Sequence, residues 1–100
     1  MGLKRVVVSG LGALTPIGND IKSYWSGLKS GVSGADNITY FDTTKFKTQF
    51  ACELKGYDPM DFFDRKEGRK LDRFSQYAIV SSDEAIKDSG INNENIDKTR

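Results

Sequence analysis

The densest cluster of charge in this sequence lies between Arg65 and Arg73, where five basic and two acidic residues share one short segment. The whole chain has a net charge of only +1, so we expect no general attraction to nucleic acid or anionic lipid. On a helix, Arg65, Arg69 and Arg73 would repeat every four residues along one face. From the residues alone, a solvated face is the favoured interpretation, and a basic surface that binds an acidic partner is the functional alternative.

The chain has one cysteine and no histidine, so the residue types most used for zinc binding and for base-assisted nucleophilic catalysis are nearly lacking. This excludes an internal disulfide, a zinc site of His and Cys, and a Cys–His or Ser–His catalytic pair. Cys52 alternates with Phe50 and Leu54 in the period-two pattern of a half-buried strand. We interpret it as a small buried hydrophobic residue, not a nucleophile. No catalytic residue, metal or cofactor is expected within these residues.

A glycine turn near the amino terminus invites comparison with dinucleotide-binding loops. The β-branched run Val6–Val8 suits a parallel strand buried on both faces, and Gly10 and Gly12 follow it. The dinucleotide fingerprint requires a third Gly or Ala where Thr15 stands, with a helix starting directly after the turn. Here Pro16 and several further residues come before the next helical pattern. A nucleotide-binding α/β domain is therefore the weaker alternative.

The first helix is predicted from Asn19 or Asp20, as N-cap, to about Ser30, with Gly31 as its C-terminal stop. Its apolar residues fall at i, i+4 and i+7 and should form one buried stripe: Ile21, Trp25 and Leu28. Beyond it, Ile38–Asp42 is predicted as a short strand or extended loop, and Thr48–Leu54 as a half-buried strand. These are too few strands to complete a sheet around the valine run.

Two helix starts follow one another in the second half of the chain. Asp58 and Pro59 predict a short helical turn whose buried side is supplied by Phe62 and Phe63. Asp64 then stands as a further N-cap, with Glu67 three residues on in a variant of the capping box.

The longest helix is predicted from Asp72 to Ser89, ending at Gly90. One stripe of its surface should be buried: Leu71, Phe74, Ala78, Ser82 and Ala85. Several residues of the helix are small, which lets it lie close to a neighbouring element: Ala78, Ser81, Ser82 and Ala85.

Four segments together resemble the β-ketoacyl-[acyl-carrier-protein] synthases, the thiolase-fold condensing enzymes of fatty-acid and polyketide synthesis. The most specific is Arg5–Gly18, with its valine run, paired glycines and Thr-Pro-x-Gly ending; the others are Gly31–Gly34, Asp72–Val80 and Ala85–Gly90. Departures from the family pattern are mild: Ser9 in place of Thr, Ala35 in place of Ile, and Ser81-Ser82 in place of Ala-Ala.

The resemblance implies an α/β, thiolase-like fold, layered in the parent, of which residues 1–100 are an incomplete N-terminal portion. It implies a cytoplasmic homodimer that condenses an acyl chain with malonyl-acyl carrier protein by decarboxylative Claisen chemistry. The family's nucleophilic cysteine and two histidines would lie beyond this segment, which alone would be inactive. Within the same fold, a polyketide ketosynthase or a chain-length factor is the alternative. No apolar run approaches the length that spans a bilayer.

The resemblance also changes the interpretation of the basic segment. In these synthases the matching Lys-Glu-x-Arg-Lys segment belongs to the surface that docks the acidic helix of acyl carrier protein. By that match, the docking residues would be Arg65, Lys66, Arg69 and Lys70. Arg73 would instead be held by Asp72 or a backbone carbonyl. Gly68 departs from the family's usual Ala or Gln and weakens a short helix.

Overall fold

The computed structural model describes residues 2–92, 94 and 97. It contains three α-helices, two short strands and one 3₁₀ turn. In chain order these are α1 (Ile21–Ser30), β1 (Asp36–Asn37), β2 (Phe50–Ala51), the 3₁₀ turn Pro59–Asp61, α2 (Arg65–Lys70) and α3 (Arg73–Ser89). None of the described helices is long and apolar enough to cross a membrane.

Helix α1 has the predicted limits, but its predicted buried face is wrong. The Asp20 carboxylate accepts a hydrogen bond from the Ser23 N–H at 2.7 Å, and Gly31 ends the helix in the left-handed region at φ 69°. Trp25, however, is 58% exposed, and the Lys29 ammonium lies 5.7 Å from its ring centroid. The helix instead packs through Gly27, whose missing side chain lets Ile17 approach.

The Asp20 cap gives a pH-dependent prediction. Its hydrogen bonds with Ser23 hold the pKa of the Asp20 carboxyl below its usual value of 3.8, so its contribution is present above that value and lost as pH falls through the lower folded pKa. We expect Asp20→Ala to lower the unfolding free energy of the intact protein by about 1 kcal/mol at neutral pH. Asp20→Asn should keep most of the cap and lose its pH dependence. Urea unfolding from pH 7 to pH 3 checks both; equal losses in the two variants would contradict the cap.

Strands β1 and β2 form an antiparallel ladder that is shorter than the predicted strands. Asp36 pairs with Ala51 and Asn37 with Phe50, and the Ile38 N–H extends the contact by donating to the Gln49 carbonyl at 3.0 Å. The prediction that Cys52 is buried is wrong, because its side chain is exposed. Of the three alternating residues, Phe50 and Cys52 are exposed and Leu54 is half-buried.

The valine run forms no strand in the described structure. Val6, Val7 and Val8 are extended but 90%, 70% and 80% exposed. The prediction of a strand buried on both faces is therefore not met within the described residues. A doubly buried strand needs hydrogen-bonded neighbours on both edges, and the described residues place none beside it.

The second half of the chain has the predicted helix limits. Asp58 accepts from the Met60 N–H at 2.9 Å, and Asp64 accepts from the Glu67 N–H at 2.8 Å. Helix α3 runs from Arg73 to Ser89 and ends at Gly90 with φ 71°. The burial of Phe62 is a wrong prediction, since it is 51% exposed, whereas Phe63 is half-buried as predicted.

The predicted buried stripe of α3 is displaced by about one residue. Gln76 and Val80 are the buried residues of the helix, and Tyr77, Ser81, Glu84 and Ala85 are half-buried beside them. Phe74 is 73% exposed, and Ala78 and Ser82 are exposed with it. The apolar pattern predicted the wrong face because the neighbours of α3 contact it through polar groups and backbone.

One of those neighbours is the glycine turn, which meets two of the four small residues of α3, Ser81 and Ala85, while Ala78 and Ser82 are exposed. A Cβ atom on Gly12 would overlap the Ser81 carbonyl oxygen and lie 2.9 Å from the Ala85 nitrogen. A Cβ atom on Gly10 would overlap the Ala85 carbonyl oxygen. The absence of both side chains lets an extended segment lie directly on the helix.

Acidic side chains of α3 complete this contact. The Leu11 N–H donates to the Asp88 carboxylate at 3.0 Å, and the Ala13 N–H donates to the Glu84 carboxylate at 2.8 Å. Glu84 also accepts from the N–H of Ile21, the first residue of α1, at 3.1 Å. Leu11 and Ala13 are two residues apart, and their partners Asp88 and Glu84 are four residues apart on the helix. Two residues of an extended chain advance about 6.6 Å and four residues of a helix about 6.0 Å, so the two spacings nearly match. This match fixes the register of the segment against α3.

The described elements do not enclose a core of their own. The radius of gyration is 17.7 Å, against about 13 Å for a compact chain of this length. The accessible surface is 8501 Å², against about 5,700 Å² for a compact monomer of this mass. Among the described residues Val80 is the buried hydrophobic one, while many large apolar side chains are exposed. The layered α/β arrangement is therefore not seen within the described residues.

Candidate docking surface

The four predicted docking residues lie together on α2 and are all exposed. We call the side chains of Arg65, Lys66, Arg69 and Lys70 the basic patch. None of them forms an ion pair with a carboxylate of the described residues. Four cations on a six-residue helix, with no ion-pair partner in the described part of the chain, create a concentrated positive surface, which suits an anionic ligand or an acidic protein surface.

The sequence gives α2 little intrinsic stability. The pairs Arg65/Arg69 and Lys66/Lys70 are like charges at four-residue spacing, which repel. Six residues are also too few for a helix to be stable on its own. The Asp64 cap helps at the start of α2, but the helix depends on tertiary contacts to hold its place.

Gln76 ties α2 to α3 through side-chain hydrogen bonds, and sequence reasoning missed it. Its side chain is 4% exposed. The amide nitrogen donates to the Gly68 carbonyl at 2.9 Å and to the Leu71 carbonyl at 3.2 Å, and the amide oxygen accepts from the Tyr57 hydroxyl at 2.8 Å. The sequence carried no signal for this role beyond a glutamine near the start of the helix that follows α2.

An aromatic cluster surrounds Gln76 and also holds Arg73. The Tyr57 ring stacks on Phe62 at 5.9 Å and meets the Tyr77 ring edge-on at 5.2 Å. The Arg73 guanidinium lies over the rings of Tyr40 and Tyr57, at 5.6 and 5.8 Å from their centroids. The expectation that Asp72 or a backbone carbonyl holds Arg73 is therefore wrong among the described residues, because the arginine stacks on aromatic faces instead.

The Tyr40 and Tyr57 phenols keep their protons at neutral pH. Partial burial is the main cause that raises the pKa of both above the usual 10.0, and the Tyr77 hydroxyl adds to the effect at Tyr40. Tyr57 therefore remains a hydrogen-bond donor to Gln76 at neutral pH.

An open apolar cleft lies against the basic patch. Its volume is about 370 Å³, and it is lined by Phe63, Glu67, Lys70, Leu71 and Ile79. Lys70 belongs to both features, so charge and apolar surface are continuous. Such a combination fits an amphipathic helix that carries acidic residues on its polar side.

The other sequence candidates are placed away from this surface. Cys52 lines an open cleft of about 490 Å³ with Tyr40, Phe41 and Tyr77 among its neighbours. The chain has no histidine that could act as a base for Cys52. The interpretation that Cys52 is not a nucleophile stays a prediction. No cluster of metal-binding side chains occurs among the described residues.

The glycine turn is not arranged as a phosphate-binding loop. Gly10 and Gly12 are in contact with the α3 backbone, so the close approach that they permit is already used. Sequence reasoning missed Lys55, whose ammonium donates to the Gly34 carbonyl at 2.8 Å and to the Pro16 carbonyl at 3.3 Å. This lysine joins the end of the turn to the loop after α1.

Gly68 offers a test of how firmly the basic patch is held. A Cβ atom there would meet Pro59 at 3.8 Å and Phe63 at 3.9 Å, which are ordinary contacts. We expect Gly68→Ala to raise the unfolding free energy of the intact protein by about 0.5–1 kcal/mol, through helix propensity and loss of unfolded-state entropy. Denaturant unfolding measures this. A loss of stability would contradict this prediction and would show that α2 requires glycine at position 68.

Comparison with known proteins gives one consistent family. Residues 3–100 match the sequence model described as "Beta-ketoacyl synthase, N-terminal domain". The chain is 50% identical over 93 residues to 3-oxoacyl-[acyl-carrier-protein] synthase 2 of Staphylococcus aureus (strain COL), covering 92% of this chain and 22% of that protein. It is 46% identical over 97 residues to the protein of that name from Vibrio cholerae, covering 95% of this chain and 23% of that protein. The chain thus spans about a fifth of the length of these relatives.

Solved structures agree with the sequence comparison. The backbone matches the ishigamide ketosynthase/chain length factor with a TM-score of 0.79 at 32% identity, over 90% of this chain and 22% of that one. It also matches a chain of the structure described as a type II polyketide-synthase acyl-carrier protein in complex with its ketosynthase bound to the hexaketide. That match has a TM-score of 0.66 at 27% identity and covers 91% of this chain and 23% of that chain. The α2–α3 region lies within a backbone that resembles the corresponding part of these proteins.

Proposed function

We propose that this chain, which belongs to the β-ketoacyl synthase family, is the amino-terminal portion of a 3-oxoacyl-[acyl-carrier-protein] synthase. The observation that carries the proposal is the 50% identity to an enzyme of that name across 92% of the chain. The chain covers only 22% of that relative, so the activity belongs to a longer protein. The exposed run Val6–Val8 supports this, since an extended apolar segment of this kind is suited to pairing with strands supplied by the rest of that protein.

The proposed reaction is decarboxylative Claisen condensation in fatty-acid elongation. An acyl group moves from a carrier thioester to an enzyme thiol. Loss of CO₂ from a malonyl thioester then gives the carbanion that attacks the acyl carbonyl, and the new C–C bond forms as the acyl carbon–sulfur bond breaks and the enzyme thiol is released. Cys52 is not assigned as that thiol, and the chain has no histidine, so the nucleophile and its partners would lie outside residues 1–100.

Assay of the intact protein with acyl-carrier and malonyl-carrier substrates tests this proposal. We expect a 3-oxoacyl-carrier product with release of CO₂, and the same activity in a Cys52→Ala variant. Absence of condensation by a folded intact protein would overturn the proposal. Complete loss of activity on the Cys52 change alone would overturn the placement of the nucleophile elsewhere.

Within that enzyme, the basic patch is proposed as the dock for acyl carrier protein. Two features support it: Arg65, Lys66, Arg69 and Lys70 are exposed without charged partners among the described residues, and an apolar cleft adjoins Lys70. Docking through exposed charges should be fast, weak and sensitive to salt. A thiolase-like layered fold, a homodimer and a cytoplasmic location form part of the same proposal, and these rest on the family alone.

A polyketide ketosynthase or chain-length factor is the second candidate. The structural match to a ketosynthase/chain length factor, with a TM-score of 0.79, favours it, but the identity there is 32% against 50% for the fatty-acid relative. The products separate them, since repeated condensation without reduction would indicate a polyketide role. A chain-length factor would lack the nucleophilic cysteine in the remainder of the protein.

A further inference from the structure

The orientation of the basic patch depends on contacts outside α2. The helix has six residues and two like-charge pairs, so it cannot fix its own position on the protein. Its cap at Asp64 satisfies the first turn but does not tie the helix to α3. The direct hydrogen bonds from α3 to the α2 backbone come from Gln76, on the side of α2 that faces the protein.

Every hydrogen-bonding group of the Gln76 amide is used in these contacts. Both N–H groups donate to main-chain carbonyls, one at Gly68 in the middle of α2 and one at Leu71 just after its last residue. The amide oxygen accepts from Tyr57, which remains protonated because partial burial raises its pKa. Gln76 is 4% exposed, and its two carbonyl partners belong to half-buried residues, so loss of these bonds would leave partly buried carbonyl groups without a protein partner.

We infer that Gln76 is a positioning residue that holds the basic patch at a fixed orientation on α3, so that carrier affinity depends on a buried side chain that does not touch the carrier. The inference rests on the proposed docking function of the patch. The physical step is that two hydrogen bonds, one to the middle of a short helix and one to the residue just after it, restrict its rotation and lateral shift. Cations held in one arrangement bind a complementary acidic surface with less loss of conformational freedom.

The test compares Gln76→Met with Tyr57→Phe in the intact protein. Methionine has a similar length and no charge but donates no hydrogen bond, so the bonds to the Gly68 and Leu71 carbonyls are both lost. Phenylalanine removes only the Tyr57 hydroxyl and keeps both of these bonds from Gln76. We expect Gln76→Met to raise the dissociation constant for acyl carrier protein about fivefold and to reduce its salt dependence. Tyr57→Phe should leave the dissociation constant within about twofold, although both variants lose stability.

The outcomes distinguish this inference from the docking proposal. If Gln76→Met binds the carrier as the wild type does, while charge reversal in the patch weakens binding, the positioning role is wrong and the dock stands. If neither change affects binding, the docking proposal itself fails. Equal weakening by Gln76→Met and Tyr57→Phe would show a general loss of stability and also overturn the inference.

A second variant covers the case in which Gln76→Met does not fold. Gln76→Leu removes the same donors with a smaller, wholly apolar side chain. If Gln76→Met does not fold, Gln76→Leu is judged by the same comparison with Tyr57→Phe. Failure of both to fold, with Tyr57→Phe folded, would show that Gln76 supports the fold as a whole and would overturn a specific positioning role.

Discussion

Reversing two charges of the basic patch, Lys66→Glu with Arg69→Glu, should raise the KM of the intact enzyme for carrier-bound substrate by about tenfold or more. A tenfold change corresponds to about 1.4 kcal/mol, a moderate effect for replacing two attractions with two repulsions. Both side chains are exposed and lack charged partners among the described residues, so the change should leave the fold intact. Salt should weaken binding of the wild type more than binding of the variant.

The matched control reverses the same amount of charge elsewhere. Lys45→Glu with Lys47→Glu alters two exposed lysines of the loop between β1 and β2. We expect this variant to keep the wild-type KM, apart from a small effect of net charge. Steady-state kinetics at several salt concentrations measure the KM of both double variants for carrier-bound substrate. Equal effects from the two double variants would indicate that overall charge, and not the basic patch, controls binding of the carrier.

The second large effect is expected at Gly12. A valine there would place Cβ in the Ser81 carbonyl oxygen and within 2.9 Å of the Ala85 nitrogen. Both contacts are with α3 backbone, which cannot rotate away as a side chain does. Gly12→Val should therefore lower the unfolding free energy of the intact protein by about 3 kcal/mol or more. Soluble yield and thermal unfolding measure the loss.

Gly2→Val provides the control for that change. A Cβ atom on Gly2 meets nothing within 4 Å, so we expect stability within about 0.5 kcal/mol of the wild type. If the two variants were equally stable, the extended segment would not lie against α3 in the intact protein.

Local chemistry allowed the helix limits to be predicted from the sequence. Asp20, Asp64, Gly31 and Gly90 act at the positions that their types predicted, because caps and left-handed stops depend on residues close in the chain. Trp25 shows the limit of the same reasoning. Its spacing predicted burial, yet it is 58% exposed, because burial depends on what lies opposite, and apolar spacing does not specify that.

The candidate site was predicted as a set of charges but not as a structure. The four cations of the patch followed from the basic segment and the family resemblance. Gln76 did not, since a glutamine in a helix predicts nothing about two carbonyl groups that approach it, one from α2 and one from the residue after α2. The same holds for Arg73, whose two tyrosine partners lie 33 and 16 positions away in the chain. Contacts of this kind depend on tertiary packing and have no local pattern.

The bonds between the glycine turn and α3 also set an order of events during synthesis. Leu11 bonds to a residue 77 positions later and Ala13 to one 71 positions later. The amino-terminal segment therefore leaves the ribosome first but cannot be fixed until Asp88 has followed it. At about 5–20 residues per second, the apolar valine run stays without its anchor for several seconds. In that interval it is a site at which a chaperone or another nascent chain can bind.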